Sequence, residues 1–163
     1  MPTGHGFSHV GVSTHDMDAT VHFYEEVLGF PHVVESVTRV TSGGTVREVY
    51  FEIGEGQFIV FMEAKDVPGI PADYDTGINR ALGVPLGMYH FALRVRSLDD
   101  LESRRRHLES HRVEVTPIVD LGHAKSIFFF DPNGIQLEFC CQTRAFDASD
   151  LQRASEASVA LSR

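Results

Sequence analysis

Ile127-Phe128-Phe129-Phe130-Asp131-Pro132-Asn133-Gly134-Ile135-Gln136-Leu137-Glu138-Phe139 is an apolar run, a turn signal and a second apolar run, the pattern of a β-hairpin. Placed 78 residues earlier, Val49-Tyr50-Phe51-Glu52-Ile53-Gly54-Glu55-Gly56-Gln57-Phe58-Ile59-Val60-Phe61 has the same three parts. A second correspondence, at a shift of 81, lays Phe7-Ser8-His9-Val10-Gly11-Val12-Ser13 over Met88-Tyr89-His90-Phe91-Ala92-Leu93-Arg94. Each of these is a short strand-like run with one histidine, followed by a helix-start signal. The chain is therefore a duplication, and the small change in shift is loop variation.

Working outward, Met17, Val21, Tyr24 and Leu28 form a helical stripe, with Asp16 as N-cap and Gly29 as stop. In the second half Leu98, Leu101 and Leu108 make a weaker stripe behind Ser97, which pairs with Asp100 as a cap. Further strands are expected at Phe30–Ser36 and Val113–Val119. Each half then reads strand, helix, strand, strand, strand. We expect an α+β fold: a first βαβββ module over 7–63, a connection over 64–87, a second βαβββ module over 88–142, and a tail over 143–163 carrying a short helix. The connection, with Val67-Pro68-Gly69-Ile70-Pro71 and Leu82-Gly83-Val84-Pro85, is too punctuated for a regular element. Its length suggests that it covers a site.

Composition narrows the class. The chain has 163 residues, 42% hydrophobic and 23% charged, as a soluble globular protein does. Its formal charge of -9 disfavours nucleic acid and anionic membranes as partners. No apolar run is long enough to span a bilayer, and the first residues lack a secretory signal pattern. Cys140 and Cys141 are adjacent, point to opposite faces of a strand and cannot readily bridge one another. A cytoplasmic location is expected.

Strand parity then groups the polar residues. His9 shares a face with Gly11 and Ser13, and His90 with Ala92 and Arg94, while the apolar alternates point toward the helices. Glu138 shares its face with Gln136 and Cys140. Singly, a strand histidine is usually structural and a strand glutamate usually solvated. His9 and His90, however, occupy equivalent places in two repeats, and Glu138 stands in the closing strand. Two imidazoles and one carboxylate match the facial triad of mononuclear metal sites, leaving positions open for Lewis-acid chemistry.

His9 in its strand, the phrase Phe23-Tyr24-Glu25-Glu26-Val27-Leu28-Gly29-Phe30 and the Phe129–Phe139 hairpin together resemble the vicinal oxygen chelate superfamily over roughly residues 7–142. That group includes glyoxalase I, extradiol dioxygenases, methylmalonyl-CoA epimerase, fosfomycin-resistance enzymes and bleomycin-sequestering proteins. The resemblance implies paired βαβββ modules with curved mixed sheets around one divalent metal, chelated by a small-molecule substrate. It carries the metal ligands onto His9, His90 and Glu138. Fe(II) is the first expectation, with Mn(II), Zn(II), Ni(II) and Co(II) as alternatives. Members close the cavity within a chain or across a dimer, and a homodimer is expected here.

Departures from the family choose among its branches. Glyoxalase I and its relatives place a fourth ligand in the last strand of the first module, where this chain has Val60 between the apolar face-mates Phe58 and Met62. Glu63 lies beyond that place and on the other face. Extradiol dioxygenases use the three-ligand set, but usually carry a tyrosine where this chain has Phe128. Their second-sphere acid/base histidine has a loose counterpart in His123, which reads equally as a solvated loop residue. Arg94 shares the His90 face and is a candidate clamp for a substrate carboxylate or phosphate, although its strand-end position favours solvent. Phe58, Val60, Met62 and Phe128 line an apolar pocket. His5, His15, His22, His32, His107 and His111 are expected at the surface or in packing, and Arg104-Arg105-Arg106 on an exposed helix face. The leading expectation is an extradiol-like dioxygenase, catalytic through His123 and Glu138. The alternatives are a glyoxalase-type lyase with Glu138 as ligand and base, and a metal-free sequestering protein.

Overall fold

The computed structural model describes residues 6–151. They form two compact units, one reaching Thr76 and including Asp131–Gly134, the other comprising Gly77–Phe130 and the described residues from Ile135 onward.

The first unit runs β1 (His9–Ser13), α1 (Met17–Val21), a π-helical turn (His22–Val27), β2 (His32–Arg39), β3 (Thr45–Gly54) and β4 (Gln57–Lys65). The sheet order is β1-β4-β3-β2, with β1 parallel to β4 and the other pairs antiparallel. Asp16 caps α1 as expected, its carboxylate accepting from the Ala19 amide at 2.9 Å. Glu63 accepts from the Met17 amide at 3.4 Å at the same helix end. The expected single stripe is modified by the π turn, in which the Leu28 amide reaches back to the Phe23 carbonyl at 2.9 Å. That extra residue turns Phe23, Tyr24, Val27 and Leu28 all inward and leaves Val21 half-buried. Tyr24 packs 5.2 Å from the Phe51 ring and 4.8 Å from that of Phe61. The strand expected at Phe30–Ser36 starts only after Pro31 and runs on to Arg39. As an edge strand it is almost wholly exposed.

The second unit contains α2 (Ile78–Leu82), β5 (Phe91–Arg94), α3 (Leu98–Ser110), β6 (Val119–Asp120), β7 (Ala124–Phe130) and β8 (Gln136–Gln142). Its order, β5-β8-β7-β6 with β5 parallel to β8, repeats the first. Ser97 caps α3, its hydroxyl accepting from the Asp100 amide at 3.1 Å. Leu101 and Leu108 are buried, as are Ile127, Phe129, Leu137 and Phe139 on the helix-facing side of the sheet.

Four expectations are corrected. Leu98, at the helix start, is exposed rather than part of the buried stripe. The strand expected at Val113–Val119 is reduced to a bridge from Val115 to Phe129 and the two-residue β6, since Pro117 has no amide to donate to a ladder. The punctuated connection contains α2, stopped by Gly83 in the left-handed conformation at φ 64°. Arg104 is half-buried, its guanidinium 5.1 Å above the Phe139 ring, whereas Arg105 and Arg106 make i,i+4 pairs with Glu109 and Glu102. In the tail, a short 3-10 turn spans Ala148–Leu151; the remainder of the helix expected there lies outside the described residues. Both cysteines are free, Cys141 buried and Cys140 half-buried on the opposite face.

Candidate active site

In the second unit, Ala92 pairs with Glu138 and Arg94 with Cys140, while Phe128 and Ser126 lie across from the same two β8 residues. All six therefore share one face. His90 sits immediately before β5, and its Nδ1 lies 3.0 Å from the Gly87 carbonyl, so this nitrogen carries the proton and donates it. Nε2 then faces Glu138 Oε2 at 3.1 Å. Glu138 is only 5% exposed. A buried carboxylate against an imidazole nitrogen calls for positive charge between them, either a proton or a bound cation.

The loop that aims His90 is itself held. The Gly87 amide donates to Gln136 Oε1 at 2.7 Å. Asn79 of α2 clamps Tyr89 through both ends of its amide, at 2.8 and 3.0 Å. These are the supports that metal-ligating histidines characteristically need. Sequence reasoning missed Asn79, which lies in a segment read as irregular, and placed Gln136 on the Glu138 face without this role. Phe128 borders the site, its ring 6.2 Å from that of His90.

In the first unit, His9 is exposed on β1, with Nδ1 3.3 Å from the Ser8 hydroxyl. The register places His9 beside Phe58, Gly11 beside Val60 and Ser13 beside Met62, on one face as expected. Val60 is almost fully buried. The same rows continue onto β3 with Glu52, Tyr50 and Glu48, and the Tyr50 ring lies 6.2 Å from that of His9. The alternation of Glu48, Tyr50 and Glu52 with Val49 and Phe51 was the available signal for these polar neighbours. Glu63 points to the opposite face, is buried and pairs with Lys65 at 3.1 Å. Its role is structural.

A cavity of about 250 Å³ opens on the second unit's Glu138 face, lined by Ala92, Arg94, His123, Ala124, Cys140, Gln142 and Phe146. His123 thus reaches a cavity, its ring 4.9 Å from that of Phe146. Arg94 is exposed yet lines it too. Burial, with the neighbouring Glu138 charge adding to it, holds the Cys140 thiol above its ordinary pKa.

The remaining described histidines lie in other settings. His15 contacts the Tyr74 carbonyl, His22 pairs with Glu26, and His32 lies near Glu25 and Glu35. The His107 and His111 rings lie 4.4 Å apart at a tilt, and His5 lies outside the described residues. Among the described residues, no group of three or more His, Cys, Asp or Glu side chains is assembled to hold a metal ion. What is brought together is the His90–Glu138 pair; His9 stands on the other unit.

The profile of the Glyoxalase/Bleomycin resistance protein/Dioxygenase superfamily matches residues 6–139. Among solved structures, the chain is similar to a glyoxylase/bleomycin resistance protein/dioxygenase domain from Frankia sp. EAN1pec, with 23% identity and a TM-score of 0.66, covering 86% of this chain and 99% of that one. It is also similar to a lactoylglutathione lyase from Agrobacterium tumefaciens (17% identity, TM-score 0.60, 86% and 96% covered). A third is an antibiotic binding protein from Streptomyces sp. CB03234 (16% identity, TM-score 0.60, 88% and 100% covered). At these identities the likeness speaks for the fold. No curated protein matched the chain in sequence.

Proposed function

Because the chain belongs to the Glyoxalase/Bleomycin resistance protein/Dioxygenase superfamily, we propose that it is a divalent-metal-dependent enzyme acting on a small molecule through two neighbouring oxygens. Extradiol-type ring cleavage of a catechol-like substrate is the reaction we favour. The observation that carries this reading is the His90–Glu138 pair, with His90 Nδ1 committed to a backbone carbonyl and Nε2 turned to a buried carboxylate. Fe(II) would be held by these two residues and by His9, contributed by the same chain or by a second copy in a homodimer. When bound, the cation supplies Lewis acidity toward vicinal oxygens.

The chain's own side chains supply the rest. Gln136 and Asn79 fix the loop that orients His90. Phe128 excludes water from the pair and offers a ring edge to an aromatic substrate. His123, on the cavity that opens along the same face, holds the far end of the substrate through its imidazole. Val60, in place of a fourth ligand, favours the three-ligand branch. The two free thiols suit the reducing cytoplasm.

A glyoxalase-type lyase is the second reading, favoured by Glu48 and Glu52 on the His9 face, either of which offers a base that β4 lacks. Oxygen uptake by the Fe(II)-loaded protein over a panel of catechols tests the first. Uptake with appearance of a ring-opened chromophore supports it. No uptake, with hemithioacetal isomerisation by the Zn(II) or Ni(II) form, transfers the case to the second.

A further inference from the structure

We propose that the cavity beside Glu138 is a carboxylate subsite, so that the substrate is an aromatic anion with its two vicinal oxygens at the end remote from its carboxylate. Arg94 is the leading observation. It lines the cavity, and its guanidinium makes no hydrogen bond or ion pair among the described residues. Arg47, Arg105, Arg106 and Arg144 carry carboxylate partners, and the exposed Arg39, Arg96 and Arg112 do not line this cavity. A guanidinium presents a planar fork of donors that matches a carboxylate with two parallel bonds.

The neighbours fit the same ligand. The Gln142 amide lines the cavity as well, and the His123 and Phe146 rings form an aromatic wall. Two acidic groups lie in the vicinity. Glu138 faces His90. Asp150, close enough to His123 to feel its charge, is engaged through both oxygens by Arg144 at 2.7 and 2.6 Å. Neither competes for Arg94. Arg94 lies opposite Cys140, two residues along β8 from Glu138 and therefore roughly 7 Å away along the strand. One substituted benzene ring bridges that span. Only the placement of the substrate's oxygen end rests on the proposed metal site.

The subsite is tested on full-length, metal-free protein by titration with benzoate and with benzamide, following the ring resonances of His123 and Phe146. Benzoate is expected to saturate in the millimolar range and benzamide to bind at least about tenfold more weakly, the worth of a charge-assisted pair. Arg94→Gln brings benzoate down to the benzamide level, and Arg94→Lys falls between. Equal binding of the two probes, benzoate binding indifferent to Arg94→Gln, or no shift with benzoate would each overturn the proposal. The titration contains no metal, so its outcome is separate from metal stoichiometry, on which the functional reading stands or falls.

Discussion

Replacing Tyr24 with Phe removes one hydroxyl from a buried polar cluster and leaves the packing in place. Tyr24 is fully buried, and its phenol donates to Asp131 Oδ2 at 3.1 Å. Asp131 also accepts from the Asn133 amide at 2.9 Å and from its side-chain Nδ2 at 3.1 Å. The carboxylate is therefore not stranded by the substitution, and the ring contacts to Phe51 and Phe61 survive. The loss is that of one hydrogen bond to a charged group, about 2 kcal/mol. For a chain of this size that lowers Tm by roughly 4–8 °C. Burial, ahead of the Asp131 charge, also pushes the Tyr24 phenol well above its ordinary pKa of 10.0. The unfolded chain therefore releases this proton near pH 10 while the folded chain retains it. The stabilisation is complete below that pH and declines above it, by up to about 1.4 kcal/mol per pH unit. Urea denaturation of both proteins from pH 7 to 11 measures both effects. A cost at neutral pH below about 0.5 kcal/mol, or an alkaline slope that the variant keeps in full, would refute the reasoning.

Other substitutions probe other elements. Gly44 has φ 78°, and a Cβ there would collide with the backbone of Lys65 and Asp66. Gly44→Ala should therefore cost roughly 3 kcal/mol or more by denaturant titration, and a near-neutral result would contradict the packing. Asp16→Ala removes the α1 cap and should cost about 1 kcal/mol, read as a lower urea midpoint at unchanged m-value. Ser126→Ala deletes a buried hydroxyl without a partner and should raise stability by about 1 kcal/mol. A loss instead would show the hydroxyl bonded, with the Cys140 thiol across the strand pair as its partner.

Periodicity made the architecture legible. Alternation on β1 and β8, a helix with a capping Asp or Ser in each half, and two hairpins in register imply the paired modules without any long-range information. Local patterns failed where tertiary demands overrode them. The π turn over His22–Val27 cannot be read from spacing, because it inserts one residue to bury Phe23 and Tyr24 together. Pro117 weakened a strand whose apolar content argued for it. At the site, parity grouped His90 with Ala92 and Arg94, and Glu138 with Gln136 and Cys140; the strand register joins the Ala92–Arg94 and Glu138–Cys140 rows on one face and adds Phe128. The supports of His90 were invisible in the sequence, since the Asn79 side-chain amide grips the backbone of Tyr89 and the Gly87 carbonyl accepts from His90, contacts that α2 and its following loop bring about.

Metal stoichiometry is the most direct measure of the central claim. Wild type, His9→Ala, His90→Ala, Glu138→Gln and Val60→Ala are each loaded with Fe(II) under anaerobic conditions, desalted and analysed for metal per chain. The account predicts one ion per chain in wild type and Val60→Ala, with marked loss in the three ligand variants. Wild type that retains no stoichiometric metal after loading with Fe(II), Mn(II), Zn(II), Ni(II) or Co(II), or Glu138→Gln that retains as much as wild type, would contradict it.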